Sequence, residues 1–159
     1  HTTADGLELR TTGNVATIMN RENSTLELGA NNASVLKINP AGSVLIGTTN
    51  TPAGYKLYVE QGTLTEKIKV AVKNTAEWSD YVFANNYNLL PLTDVETFIK
   101  TNQHLPGVPS ANEVVNDGIN VAKMDAKLLE KIEELTLYLI EMNKRIDALE
   151  QENAVLKRK

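Results

Sequence analysis

Ser79 followed by Asp80 is the one place in this 159-residue chain where a serine sits beside an acid, and it invites the question of acyl transfer. A serine attacks only when a neighbouring base takes its proton. The sole Lys or Arg between residues 74 and 120 is Lys100, 21 positions away, so Ser79 reads as an ordinary hydroxyl at a cap or turn. His104 precedes Leu105-Pro106-Gly107 and reads as a turn residue bonded to backbone. Asp94 with Glu96, and Glu77 with Asp80, are too close in sequence to flank a sugar as a glycosidase pair does; capping and solvation account for them. Trp78, Tyr81 and Tyr87 could stack on sugars, although burial is the simpler expectation. There is no cysteine, only two His, and neither a phosphate loop nor a metal-ligand spacing. The expectation is a non-enzymatic protein with no catalytic residue, no metal and no cofactor.

The elements that would carry these residues divide the chain in three. Residues 1–73 hold seven basic and six acidic side chains, 74–120 hold one and six, and 121–159 hold eight of each. The net charge of −4 excludes the basic footprint of a nucleic-acid binder. No apolar run is long enough to span a membrane. Aromatic residues make up only 5%, thin for a lone core, and point to an elongated or oligomeric object. A start at His1 with no leader-like stretch suggests a piece of something longer.

In 1–73 apolar residues come in pairs two apart: Leu7/Leu9, Leu26/Leu28, Leu36/Ile38, Val44/Ile46, Leu57/Val59, then Ile68/Val70/Val72. That spacing puts both members on one face of a strand. Turn signals separate them, at Thr12-Gly13-Asn14, Gly29-Ala30-Asn31-Asn32, Asn39-Pro40-Ala41-Gly42 and Pro52-Ala53-Gly54. Leu-Glu-Leu occurs twice, at 7–9 and 26–28, a faint internal echo. Strands with two or three inward residues each are marginal alone, since each ordered residue costs about 1–2 kcal/mol of backbone entropy. Three copies around a common axis would bury the pairs better; a small monomeric sandwich is the alternative.

In 121–159 a helix of about 58 Å is expected, free of Gly and Pro. Leu128, Ile132, Leu135, Leu139, Met142, Ile146, Leu149, Asn153 and Leu156 follow a 4-3-4-3 spacing, the signature of a coiled coil. Ile132, Leu139, Ile146 and Asn153 take the a positions and the others d. A parallel register sets Arg145 (g) opposite Glu150 (e) of a neighbour, and Glu152 opposite Lys157. Ile at a with Leu at d, and the polar Asn153, lean towards two strands. Leu129 (e) and Tyr138 (g) widen the stripe, while Leu137 and Ile140 form a second apolar patch suited to packing on the middle segment or to supporting a third helix. Between these regions, WSDYVF (78–83) reads as strand or turn. Thr93 with Glu96, and Ser110 with Glu113, read as capping boxes. Val95, Phe98 and Ile99 make a buried face, and Asp117-Gly118 turns into the long helix.

The string GSVLIGTTNTPAGYKLYV (42–59), through Gly42, Val44, Ile46, Gly47, Thr48, Thr49, Pro52, Lys56, Leu57 and Val59, resembles a segment repeated near the C-terminal ends of tail fibres and fibre-like surface proteins of bacteriophages and bacteria. Residues 78–150, with WSDYVF and LTDVETFIKTNQHLPGVPSANEVVNDGINVAKMDAKLLEKIEELTLYLIE, resemble the C-terminal region of tail-fibre-like proteins of Bacteroidetes and their phages. The layout is also similar to the intramolecular chaperone of phage tailspikes, which trimerises its fibre and then cuts itself free. Ser79-Asp80 matches the start of that cleavage motif, but Tyr81-Val82-Phe83-Ala84-Asn85 follows where the motif has Arg-Leu-Lys. The resemblance implies an elongated α+β homotrimer: an intertwined β-strand shaft (1–73), a small knot (74–120) and a parallel coiled coil (121–159). It implies the tip of a tail fibre of a phage or contractile injection system, on the virion, apparatus or extracellular surface. Its partners would be two further copies, upstream fibre or baseplate components and a glycan or protein receptor, without nucleic acid or membrane insertion. A trimeric bacterial adhesin and a self-cleaving chaperone are the alternatives.

Overall fold

A computed structural model of the chain describes residues 6–71, 74 and 78–158. They fall into two compact units, 1–67 and 68–159, so that the middle segment and the long helix share one unit.

The first unit holds two separate sheets. β1 (Leu7–Thr12) and β2 (Val15–Asn20) form an antiparallel hairpin in which Leu9 pairs with Ile18 and Thr12 with Val15. The intervening Gly13-Asn14 makes a two-residue turn, with Gly13 at φ +58°. The second sheet runs β3 (Leu26–Ala30), β4 (Ala33–Ile38), β5 (Val44–Ile46) and β6 (Leu57–Val59), antiparallel except for the parallel β5–β6 pair. Asn31 and Asn32, both at positive φ, make the β3–β4 turn; two such residues match the twist of the flanking strands. At Gly29 the register shifts, and a Cβ there would stand 2.1 Å from the Ala33 carbonyl oxygen. Asn39 closes the next turn, its Oδ1 accepting from Ser43 N at 2.8 Å. The string 42–59 becomes β5, a long loop and β6. Lys56 Nζ donates to the Ala41 carbonyl at 2.6 Å, and the Tyr58 hydroxyl to the Pro52 carbonyl at 2.7 Å, tying down the two ends of that loop.

Five of the strands carry the expected apolar pairs, whereas β2 was not foreseen. Ile68 and Val70 are exposed and belong to no strand; a strand needs a ladder partner, and the described part of the chain provides them with none. Val72 lies outside the described residues.

The second unit is built on one helix. WSDYVF is neither strand nor turn but a 3₁₀ helix, Ser79–Phe83, because Ser79 and Val82, three apart, both point into the same packing surface. α1 (Leu92–Asn102) starts after Pro91 without a side-chain cap. The box expected from Thr93 and Glu96 is therefore absent: Pro91 begins the helix earlier, and Glu96 instead pairs with Lys100 at 2.5 Å. Val95 and Phe98 of α1 are half-buried and Ile99 is exposed. α2 (Ala111–Asp117) has the reciprocal Ser110–Glu113 box, with Glu113 Oε2 2.7 Å from Ser110 N, and ends at Gly118, φ +69°. α3 (Val121–Leu156) begins at Asn120, whose Oδ1 accepts from Lys123 N at 3.1 Å. It runs 36 residues, about 54 Å. Among the described residues no helix is long and apolar enough to cross a membrane.

Candidate functional site

The long helix presents two faces whose chemistry is the reverse of a lone amphipathic helix. In heptad terms, Ala126, Glu130 and Glu133 occupy b and f positions, opposite the leucine seam, and all three are buried. The 3₁₀ helix covers them. Val82 is 1% exposed, and the equally buried Ser79 donates its hydroxyl proton to the Ala126 carbonyl. From there the chain crosses the outer face: the Tyr81 hydroxyl donates to Glu130 Oε2, that of Tyr87 to Glu134 Oε1, and that of Tyr138 to the Leu90 carbonyl at 2.5 Å. Residues 79–92 thus wind over the helix from b through f and c to g.

Charge is managed inside this contact. Glu130 accepts from Lys127 Nζ at 2.6 Å and lies 2.9 Å from Lys131 Nζ, which also reaches Glu134 at 2.7 Å. Burial alone would raise the Glu130 carboxyl, but the bonds from Lys127, Tyr81 and Lys131 outweigh it and hold the group down at about 2. The Tyr81 hydroxyl is pushed up to about 12, first by its bond to Glu130 and then by burial. Tyr87 moves the same way, through burial first and then its bond to Glu134. Glu133 is raised by burial and by the nearby Asp80 charge, and its Oε2 has no hydrogen-bond partner among the described residues.

On the opposite face the nine seam residues are open. Leu128, Ile132, Leu135, Leu139, Met142, Ile146, Leu149 and Leu156 are between 42% and 65% exposed, and Asn153 is exposed with its Nδ2 bonded to the Leu149 carbonyl at 3.0 Å. Counting back one step places Asp125 at the preceding a position, which sets the N-terminal limit of the apolar seam. Leu129, Leu137 and Tyr138 are half-buried, whereas Ile140 is exposed. Eight apolar side chains, each worth about 1.5–3 kcal/mol on full burial, therefore face water in a single chain.

The four-stranded sheet repeats this pattern. Register places Leu26, Ile38, Val44 and Leu57 in one cross-strand row and Leu28, Leu36, Ile46 and Val59 in the next, on the same face. All eight are aliphatic, and five are exposed. The other face carries the Glu27–Lys37 pair at 3.4 Å, the hydrogen-bonded Tyr58 and Leu45, the most buried residue of the sheet.

The remaining sequence candidates are dispersed. Ser79 is a packing hydroxyl whose proton is engaged by a carbonyl. His104 Nδ1 lies 3.1 Å from the Leu105 carbonyl, and its ring stands edge-on to Phe98 at 5.4 Å. Trp78 and Tyr81 are exposed rather than buried, Tyr87 is half-buried, and the Tyr81 and Tyr87 ring centres are 6.0 Å apart. Asp94 stands in the first turn of α1. Glu77 lies outside the described residues. Among the described residues no group of three or more His, Cys, Asp and Glu side chains could hold a metal ion. Sequence reading missed the buried glutamates, because acidic residues at b and f look like a solvated face. Tyr81 and Tyr87, which bond Glu130 and Glu134 from 49 and 47 positions upstream, carry no local signal. No protein-family model, curated protein or solved structure matches the chain.

Proposed function

We propose that the chain is a structural and interaction protein, the C-terminal part of a trimeric tail fibre of a phage or a phage-derived contractile injection system. The observation that carries this reading is the inverted α3, whose charged outer face is covered by its own chain while the leucine seam stays bare over four heptads. Such a helix is completed by other copies of itself. The double aliphatic row of the sheet asks for the same remedy, and three copies around an axis cover both surfaces. The unpaired Ile68 and Val70 then find ladder partners in neighbouring chains. The resemblance of 42–59 and 78–150 to fibre ends supplies the context, in which the tip meets a target-cell surface and the coil sets chain number and register. Helical contacts are local and form quickly, so the coil would gather the chains before the slower β pairing.

Light scattering coupled to size exclusion tests the reading. The expected mass is 52.5 kDa, three times the 17.5 kDa chain. A mass of 35 kDa, twice the chain, would replace the fibre with a dimeric scaffold, and 17.5 kDa would reject self-association. Labelled trimer should decorate target cells, and a seam variant that is monomeric should lose that avidity.

A further inference from the structure

The segment 89–93 lies along the c and g side of α3 and leaves a groove of about 830 Å³ against it, floored by Met142 and Ala148 and rimmed by Lys144 and Arg145. Leu90, Leu92 and Met142 all remain at least 41% exposed there. We infer that this groove is a docking site for a second copy of the chain, receiving Ile140 of the neighbouring helix. The inference rests on the parallel association proposed above.

Three observations select that occupant. In a parallel coil the g side of one helix meets the e side of the next, and the residues flanking e are those at b. At the height of the groove, the b and e positions read Ile140, Asn143, Asp147 and Glu150. Ile140 is 47% exposed, belongs neither to the seam nor to the contact with the 3₁₀ helix, and is the one large apolar residue on that side at that height. Charge also fits. Among the described residues Lys144 and Arg145 make no ion pair within the chain, while the opposing Asp147 and Glu150 are acidic; Asp147 bonds only Asn143, at 3.2 Å. The segment 89–93 would therefore act as a collar, clasping each helix to its neighbour beyond the seam. An antiparallel pair would bring like sides together and leave the groove empty.

Because the chain has no cysteine, cross-linking reads this directly. Chains bearing Leu92→Cys and chains bearing Ile140→Cys are co-expressed and oxidised. The expected product is a two-chain band that reducing agent abolishes and that neither variant gives alone. In parallel, Ile140→Asp should lower the melting midpoint by about 4 °C or more at unchanged mass. The same change at the similarly exposed Val155, past the groove, should shift it by no more than about 1 °C. An oligomer by light scattering with no mixed cross-link, or with Ile140→Asp as silent as Val155→Asp, overturns the collar and leaves self-association standing. A monomeric mass overturns both.

Discussion

The outer and inner faces of α3 solve opposite problems. The outer face buries Glu130 and Glu133, and an ionised group taken from water must find partners. Glu130 has them, from two lysines and a tyrosine, while at Glu133 burial and the Asp80 charge push the carboxyl above its ordinary value. The seam face has only apolar side chains and one Asn, and covering it would take area rather than geometry. Within a chain, then, the covered face is specified by hydrogen bonds that fix where residues 79–92 must lie. The face left open is a generic stripe that any helix with the same heptads could match. In the proposed assembly, intrachain structure would carry the specificity and interchain contacts the apolar burial.

That division can be broken from either side. The largest effect is expected from Leu135→Asp combined with Leu139→Asp, which should take the mass from 52.5 to 17.5 kDa while the single tryptophan, Trp78, still reports a folded middle segment. A retained oligomer would show that the seam is not the association surface. Acid comes next. Glu130 is depressed to about 2 from an ordinary value of 4.5, so its contribution is complete above pH 4.5 and is lost as the pH falls towards 2. The loss is roughly 2–3 kcal/mol. Glu133, being raised, titrates in the opposing sense, so the measurement belongs in a Glu133→Gln background. There Glu130→Gln should flatten the acid limb of stability followed by Trp78 fluorescence, and an unchanged limb would rule out Glu130 as its source. Val82→Ala should cost about 2 kcal/mol in denaturant unfolding at the same probe with the assembled mass intact; coincident loss of mass would mean that the two faces are not independent. Tyr81→Phe is the mildest. It should cost about 1 kcal/mol at neutral pH and remove a decline between pH 10 and 12, because the hydroxyl raised to about 12 stabilises the fold only while protonated. Persistence of that decline would assign it to Tyr87.

How much of this could be read from the residues follows the range of the interactions. Leu26/Leu28, Leu36/Ile38, Val44/Ile46 and Leu57/Val59 announced their strands and shared face, because alternation is a local property. Val15–Asn20 did not, since Ala16, Thr17 and Asn20 dilute the pattern and the strand is held by its register on Leu7–Thr12. The Ser110–Glu113 box formed and the Thr93–Glu96 pattern did not. Motif chemistry was equal in both, but Pro91 with its fixed φ had already started the helix. WSDYVF carried aromatic and β-branched residues that suit a strand; what makes it 3₁₀ is the surface of Ala126 and Glu130, some 47 residues away. The long helix and the spacing of its exposed apolar stripe were legible, whereas the covered outer face required tertiary contacts that no spacing encodes.

The reach of those contacts along α3 has a last consequence. The segment 79–92 fixes the helix as far as Tyr138, and every residue from 141 to 156 is exposed. That stretch is about 24 Å of helix resting on propensity alone, and isolated helices of about 12–15 residues are marginal in water. In the proposed trimer its winding and the meeting of chains would therefore be one equilibrium. Ellipticity at 222 nm should rise with protein concentration, and a solitary newly made chain would carry a frayed end that stiffens only on encounter with its copies.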